Sequence, residues 1–373
     1  MTKFLPLLRA GVSAAPDRTD LKLQLAKTLF HTDNMAELVE WLRPIIANDQ
    51  DPELLYYLGC GALVLGDYQL AFDALQLAAA KGVGRAFGPL AEVIGRLGRS
   101  DESLEVALQG LEHSASDFKA LGIVVRRLLD RGETQRLWSL CLDLRTRGAY
   151  GGYLPSAMAA AAATPEQESE VAAFVDPQRW FFATQLRVPD NLNQRIADEL
   201  LADRALSALP STRSTTGAGS RIDQLHLAGG PFVQDLLDRI RAVVDTYVVE
   251  RQAITDHPLM ARRPASVALN SWALAVQRDG HEEWHIHPSG WISGVYYARV
   301  PRVKPDPQTK YGALEFGPFP FGVERETRAW PCWHEMPKVG VLLLFPSYYA
   351  HRTWPTGVSD PRVCVAFDIV SAS

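Results

Sequence analysis

Four pairs of a large apolar residue followed by a small one, Leu25-Ala26, Leu58-Gly59, Leu90-Ala91 and Leu121-Gly122, recur at intervals of 33, 32 and 31 residues. A period in this range marks stacked helical hairpins, because one hairpin cannot bury its apolar face without a neighbour. The second copy is the fullest, with Leu55, Leu58, Gly59, Ala62, Ala71, Leu75 and Ala78. The small residues Gly59 and Ala71 let two helices approach closely, while Leu55, Leu58 and Leu75 fill the groove between them. Gly66-Asp67 supplies the turn. Copy three carries Phe87, Leu90, Ala91 and Ile94, a turn over 98–101, then Ser103 and Ala107. Copies one and four are looser, as terminal copies often are.

This block resembles a tetratricopeptide-type (TPR) solenoid over about residues 15–148. The resemblance implies a concave surface for a peptide or protein substrate. A stack of hairpins that supports the rest of the chain or forms a homodimer is an equal alternative, since no aromatic or charged ladder marks a groove face. Both readings stay open at this point.

The remainder has a different texture. Seven of the nine Trp follow residue 175 and 13 of the 24 Pro follow residue 250, whereas the text before residue 150 is Leu/Ala-rich. Residues 149–176 read as a connection in which 159–163 and Glu166, Glu168 and Glu170 form one more helix, opened by Thr164-Pro165. The expected division is a helical repeat domain over 1–175 and a second domain over 176–373. Short β-rich runs at 267–276, 291–300, 313–316, 339–345 and 362–370, separated by Pro/Gly turns, predict a jelly-roll sandwich or barrel. Two amphipathic helices, at about 193–203 and 232–249, precede it. The fold class is therefore α+β, a helical solenoid followed by a β-barrel.

Composition excludes several classes. A net charge of −5 leaves no electrostatic footprint for nucleic acid. The four Cys form no CxxC, so neither a zinc knuckle nor a redox pair is expected. The apolar run at 4–8 is too short for a signal-peptide core. The longest uncharged stretch, 149–165, is interrupted by Gly151, Gly152 and Pro155, so no membrane span is expected. A cytoplasmic protein is the resulting expectation.

The chemistry concentrates in His281-Glu282-Glu283-Trp284-His285-Ile286-His287-Pro288. On a strand, residues i and i+2 project to one face, so His285 and His287 point the same way. Two imidazoles so placed, with one group from a distant strand, make a facial set of metal ligands with open positions opposite. His351, after the apolar run ending at Phe345 and the turn Pro346-Ser347, is the distant partner, and Arg362 follows it by eleven residues. A hydrogen-bonded core histidine is the bland alternative for each imidazole, and an ion pair with Asp360 or Asp368 is the alternative for Arg362.

Together, His285-Ile286-His287-Pro288, Ser293-Gly294-Val295-Tyr296-Tyr297, Phe345-Pro346-Ser347 and His351 with Arg362 resemble the double-stranded β-helix of iron(II)- and 2-oxoglutarate-dependent oxygenases. The resemblance covers roughly 265–370 and is greatest to a bacterial branch carrying His-x-His-Pro followed by Ser-Gly-x-Tyr-Tyr. It implies Fe(II), 2-oxoglutarate and O2 as cofactor and co-substrates, with His285 and His351 as iron ligands and Arg362 as the clamp for the far carboxylate. It implies hydroxylation of a C–H bond in a peptide, protein or small molecule, with release of succinate and CO2.

One position departs from the wider family. His287 stands where most members have Asp or Glu, and three histidines are also a zinc set. A competing frame, His281 with Glu283, would restore a carboxylate; the 285/287 frame is preferred because Pro288 and the Ser-Gly-x-Tyr-Tyr run fit it and 279–281 reads as a turn. Asn270 and Gln277, on the preceding strand, are expected to hydrogen-bond co-substrate or substrate. Trp284, Tyr297 and Trp354 are candidates for a substrate pocket, with Tyr296 and Trp291 as further aromatics. His226, His257 and His334 stand alone. Residues 215–220 read as an active-site flap rather than a phosphate cradle, because no Lys follows the glycines. The rival readings are a non-oxidative zinc site of cupin type and an inactive barrel attached to a repeat-based interaction protein.

Overall fold

A computed structural model describes residues 5–32, 34–46, 50–204, 206–208, 215–302, 310–317 and 330–372. The chain divides into two compact units: Met1–Glu133 with Leu142–Ala149, and Thr134–Cys141 with Tyr150–Ser373.

Up to residue 146 the described residues are helical: α1 (Leu5–Ala14), α2 (Thr19–His31), α3 (Met35–Ile46), α4 (Pro52–Leu65), α5 (Tyr68–Ala80), α6 (Phe87–Arg96), α7 (Ser100–His113), α8 (Phe118–Asp130) and α9 (Thr134–Thr146). The α4–α5 hairpin shows why the repeat pattern is there. Asp51 caps α4 by accepting from the backbone N–H groups of Glu53 and Leu54, and Pro52 occupies the first turn, where its missing donor costs nothing. Gly66 ends the helix at φ +79°, a left-handed conformation open to glycine, and Asp67 caps α5 through Leu70 N–H. Gly59 is the close approach: a Cβ there would lie 2.5 Å from Leu75 Cγ. Leu54, Leu75, Ala62, Ala71 and Ala78 are fully buried in the same seam.

Beyond the first part of α9, the second unit continues with α10 (Leu154–Ala161) and α11 (Pro165–Val175), the latter held at its start by a capping box between Thr164 and Gln167. α11 is tied to the β region by Tyr348 and Tyr349, whose hydroxyls donate to the carbonyls of Phe174 and Val175, and by His257 Nε2, 3.0 Å from the Phe174 carbonyl. The short α12 (Pro177–Trp180), α13 (Leu192–Ala202), α14 (Leu225–Ala228), the long α15 (Pro231–Arg251) and α16 (Pro258–Ala261) complete the helices.

The strands are β1 (Phe182–Gln185), β2 (Ser207–Ala208), β3 (Thr215–Thr216), β4 (Gly219–Ile222), β5 (Val267–Val276), β6 (His281–Glu282), β7 (Ile292–Arg299), β8 (Leu314–Phe316), β9 (Trp333–Glu335), β10 (Val341–Pro346), β11 (His351–Thr353) and β12 (Arg362–Ser371). They form an antiparallel sheet in the order β1-β10-β7-β12-β5-β4-β2, a smaller one in the order β11-β8-β9, and the pair β3-β6. Residues from both larger sheets line one cavity, which is the jelly-roll arrangement expected from the sequence. The strands expected at 267–276, 291–300, 313–316, 339–345 and 362–370 are β5, β7, β8, β10 and β12. Gly294 is required at the sheet centre, since a Cβ there would lie 2.4 Å from Phe367 Cζ and 2.6 Å from the Leu343 carbonyl oxygen.

Candidate metal centre

His285, His287 and His351 converge, offering ligand nitrogens that all lie within 4.8 Å of one another, and they are the group of this kind among the described residues. The local structure that achieves this is not the strand expected at 285–287. His285 makes an isolated bridge with His351, its N–H 3.0 Å from the His351 carbonyl oxygen and the reverse bond equally long. Residues directly opposite on antiparallel backbones share a face, so the two rings meet at a centroid distance of 4.3 Å. His287 is held separately, through its N–H to the Ser347 carbonyl at 3.0 Å.

The tautomers follow from the partners of each ring. His285 Nδ1 lies 2.7 Å from the Glu283 carbonyl oxygen and His351 Nδ1 2.9 Å from the Tyr349 carbonyl oxygen. His287 Nδ1 lies 2.7 Å from Asp368 Oδ1. Each Nδ1 therefore carries a proton and donates to an oxygen, which leaves each Nε2 as the ring's lone pair. His287 Nε2 is buried with no hydrogen-bond partner among the described residues. A buried, unsatisfied acceptor costs free energy unless something fills its place. Three convergent lone pairs, one of them demonstrably orphaned, suit a divalent cation that accepts imidazole.

Electrostatics separates the three rings. Burial holds the His285 pKa below its ordinary value, and burial together with its two neighbouring imidazoles drives that of His351 well below it. Burial acts the same way on His287, but the adjacent Asp368 carboxylate outweighs it and the net shift is upward. Trp272 stacks on the His287 ring at 5.5 Å and 21°, with the Arg221 guanidinium 4.7 Å above the indole.

Next to the histidines is a cavity lined by Trp272, Leu274, His287, Tyr297, His351 and Arg362 among others. Arg362, Cys364 and Ala366 line it from alternate positions of β12, the parity that places Asp368 on the same face. Arg362 is 3% exposed and donates from Nη1 to the Gly312 carbonyl at 2.8 Å, while its Nε has no partner among the described residues. The ion-pair alternative does not hold: Asp360 pairs with Arg299, and Asp368 with His287. A buried guanidinium with an unused donor beside a cation site suits a carboxylate-bearing co-substrate.

The other candidates divide. Tyr297 is buried and lines the cavity. Trp284 and Trp354 do not; their rings flank the Arg352 guanidinium at 4.8 and 4.7 Å, and Trp354 Nε1 donates to the buried Glu315 carboxylate at 2.9 Å. Gln277 lies past the end of β5 and is exposed, and Asn270 is exposed as the cross-strand neighbour of Asp368, so neither lines the cavity. Tyr296 bonds Asn193 and Trp291 donates to the Leu259 carbonyl, both away from the histidines. His281 and Glu283, the competing frame, face each other at 3.1 Å with side chains 28% and 58% exposed, apart from the cluster. His281 starts β6 rather than sitting in a turn, and residues 215–216, expected in a flap, pair with it as β3. Asp368, which holds His287, and the hydroxyls of Ser293 and Ser347 behind it were not identified from the sequence.

Comparison with known proteins adds to this geometry. Residues 270–368 match a protein family described as "Putative 2OG-Fe(II) oxygenase". A comparison with curated proteins finds no match. Similar solved structures include MamA, at 21% identity over 38% of this chain and 87% of that one, with a TM-score of 0.35. A Pseudomonas putida prolyl-4-hydroxylase is 16% identical over 54% of this chain and 99% of its own, with a TM-score of 0.35. A prolyl hydroxylase from Trichoplax adhaerens, solved with a peptide fragment, is 13% identical over 55% of this chain and 91% of its own, with a TM-score of 0.38. His285, His287, His351 and Arg362 thus all lie within the residues that match the 2OG-Fe(II) oxygenase family, downstream of a run of helical hairpins.

Proposed function

We propose that this protein is an Fe(II)- and 2-oxoglutarate-dependent oxygenase that hydroxylates a C–H bond of a peptide, a protein or a small molecule. The observation that carries the reading is the convergence of three imidazoles, one with a buried and unpartnered Nε2, beside a buried arginine with an unused donor. His285, His287 and His351 would hold the iron and Arg362 the distal carboxylate of 2-oxoglutarate. Iron held there, with 2-oxoglutarate and O2, supplies oxidation of the substrate: RH, 2-oxoglutarate and O2 give ROH, succinate and CO2.

The chain's own residues orient and exclude. The Nδ1 bonds fix each ring so that its Nε2 is preset, which removes the ordering cost at the moment of binding. Leu274, Leu314, Phe345 and Tyr297 give the cavity apolar walls that keep bulk water from the reaction. Arg362 sets the position of the co-substrate, so that its other end reaches the histidines. The repeats are assigned to a peptide or protein partner, which substitutions in α4 and α6 would test by changing coupled turnover while sparing uncoupled decarboxylation. Four cysteines outside any disulfide fit a reducing, cytoplasmic setting. Among the described residues no helix is long and apolar enough to cross a membrane.

The test is succinate formation from 2-oxoglutarate with Fe(II) and ascorbate, lost in His285→Ala and Arg362→Ala. A second reading, a non-oxidative zinc site, is favoured by His287 in place of a carboxylate. Metal analysis of the purified protein, with no succinate formed on iron loading, would support it instead.

A further inference from the structure

The third ligand position holds a neutral imidazole, so the donor set lacks the negative charge that a carboxylate would bring. The fold places one directly behind it. Asp368 Oδ1 lies 2.7 Å from His287 Nδ1, and the same oxygen accepts the Ser293 hydroxyl at 2.6 Å. The Ser293 and Ser347 hydroxyls share a 2.8 Å hydrogen bond, and Ser347 gives its carbonyl to the His287 N–H. Asp368 is 9% exposed, Ser293 1% and Ser347 1%. Gly290 packs against this cluster so closely that a Cβ would lie 2.4 Å from Ser347 Oγ and 3.4 Å from Asp368 Cγ. Side chain, hydroxyls and backbone thus hold one carboxylate against the Nδ1 edge of one ring, while the other nitrogen, Nε2, is buried and unpartnered.

We infer that Asp368 is a positioning residue for the metal centre, one that holds His287 with Nε2 inward and supplies, one hydrogen bond behind the ligand, the negative charge its imidazole lacks. The inference rests on the metal centre proposed above. A carboxylate that accepts from a ligating imidazole fixes the ring and makes it a more basic donor, and losing such a partner weakens metal binding by about 10–100-fold. Ion desolvation sharpens the effect, because a dication held by three neutral rings in a buried site needs negative charge close by; Glu282 lines the same cavity, and Asp368 is the carboxylate bonded to a ligand ring.

Co(II) alone is the probe, added to the metal-free full-length protein and followed by calorimetry and by its visible absorption, which reports ligand-field strength. Asp368→Asn keeps an accepting oxygen and removes the charge. The expected result is Co(II) binding weakened about 10–100-fold with a shifted visible spectrum and a near-wild-type melt. Asp368→Glu, which keeps the charge, recovers a substantial part of that loss. Asp360→Asn removes an exposed carboxylate paired with Arg299 and leaves Co(II) binding unchanged, so net charge is not the cause. Unchanged affinity and spectrum in Asp368→Asn, or Asp368→Glu no better than Asn, overturns the inference. Should the Asn variant not fold, Asp368→Ser is measured in its place against the same expectations. Wild-type protein that binds no Co(II), or His285→Ala that binds it as the wild type does, overturns the metal centre itself; a normal wild type beside an unaffected Asp368→Asn overturns only the part given to Asp368.

Discussion

Replacing Arg362 with alanine isolates the proposed co-substrate clamp from the proposed metal site. The side chain is 3% exposed at the start of β12, spends one donor on the Gly312 carbonyl at 2.8 Å, and keeps Nε buried without a partner among the described residues. If two of the remaining donors reach a carboxylate, each charge-assisted bond contributes about 1.5–3 kcal/mol, hence about 3–6 kcal/mol in all. Alanine should therefore weaken 2-oxoglutarate binding by about 10²–10⁴-fold. Arg362→Lys keeps the charge but not the planar fork, and should fall between wild type and alanine. Both are read by calorimetric titration of 2-oxoglutarate into protein saturated with Mn(II), with Mn(II) affinity as the internal check. A Kd for 2-oxoglutarate within threefold of wild type in Arg362→Ala would refute the clamp.

Three further outcomes are expected. Gly59→Ala gains about 1 kcal/mol of helix propensity but forces a Cβ 2.5 Å from the buried Leu75 Cγ, so urea unfolding should show net destabilisation of about 1–2 kcal/mol, and a more stable variant would contradict the α4–α5 packing. For the metal-free protein, His285 and His351, with lowered pKa values, stay neutral while the unfolded chain protonates near pH 6.5, so stability falls as the pH drops below that value until each ring reaches its own folded pKa. His287, with a raised pKa, acts oppositely, contributing stability that is fully present below about pH 6.5 and lost as the pH rises through its folded value. Melts of chelator-treated protein at pH 5.5, 6.5 and 7.5 should show a loss on the acid side that shrinks in His351→Gln; equal acid sensitivity in that variant would contradict the assignment. Finally, His281→Ala should leave Co(II) affinity as it was, since His281 faces Glu283 outside the cluster, and a tenfold loss would restore the competing frame.

What the sequence disclosed and what it hid have physical reasons. Helical hairpins need small residues where two helices touch, and those needs repeat at fixed spacing, so Gly59 and Ala71 are legible before any coordinates. Alternating apolar runs between Pro/Gly turns gave β5, β7, β8, β10 and β12 for the same reason. The three histidines were legible as an i, i+2 pair with a distant third, although the backbone that delivers them is a single bridge to His351 and not a strand. Asp368 was hidden because its partner lies far away in sequence; the available signal was its even spacing from Arg362 on one strand. Asn270 and Gln277 were misplaced because strand identity does not reveal where a strand leaves the cavity. Trp284 and Trp354 have the residue type of pocket walls, but Arg352, itself bound to Glu315 at 2.7 Å, lies against both rings.

The account rests most directly on where a divalent cation binds. A crystal of the full chain soaked with Mn(II), with the ion located by anomalous scattering, is predicted to show one strong site ligated by Nε2 of His285, His287 and His351, with His287 Nδ1 still on Asp368. An ion ligated elsewhere, or histidines that turn Nε2 away from it, would contradict the account.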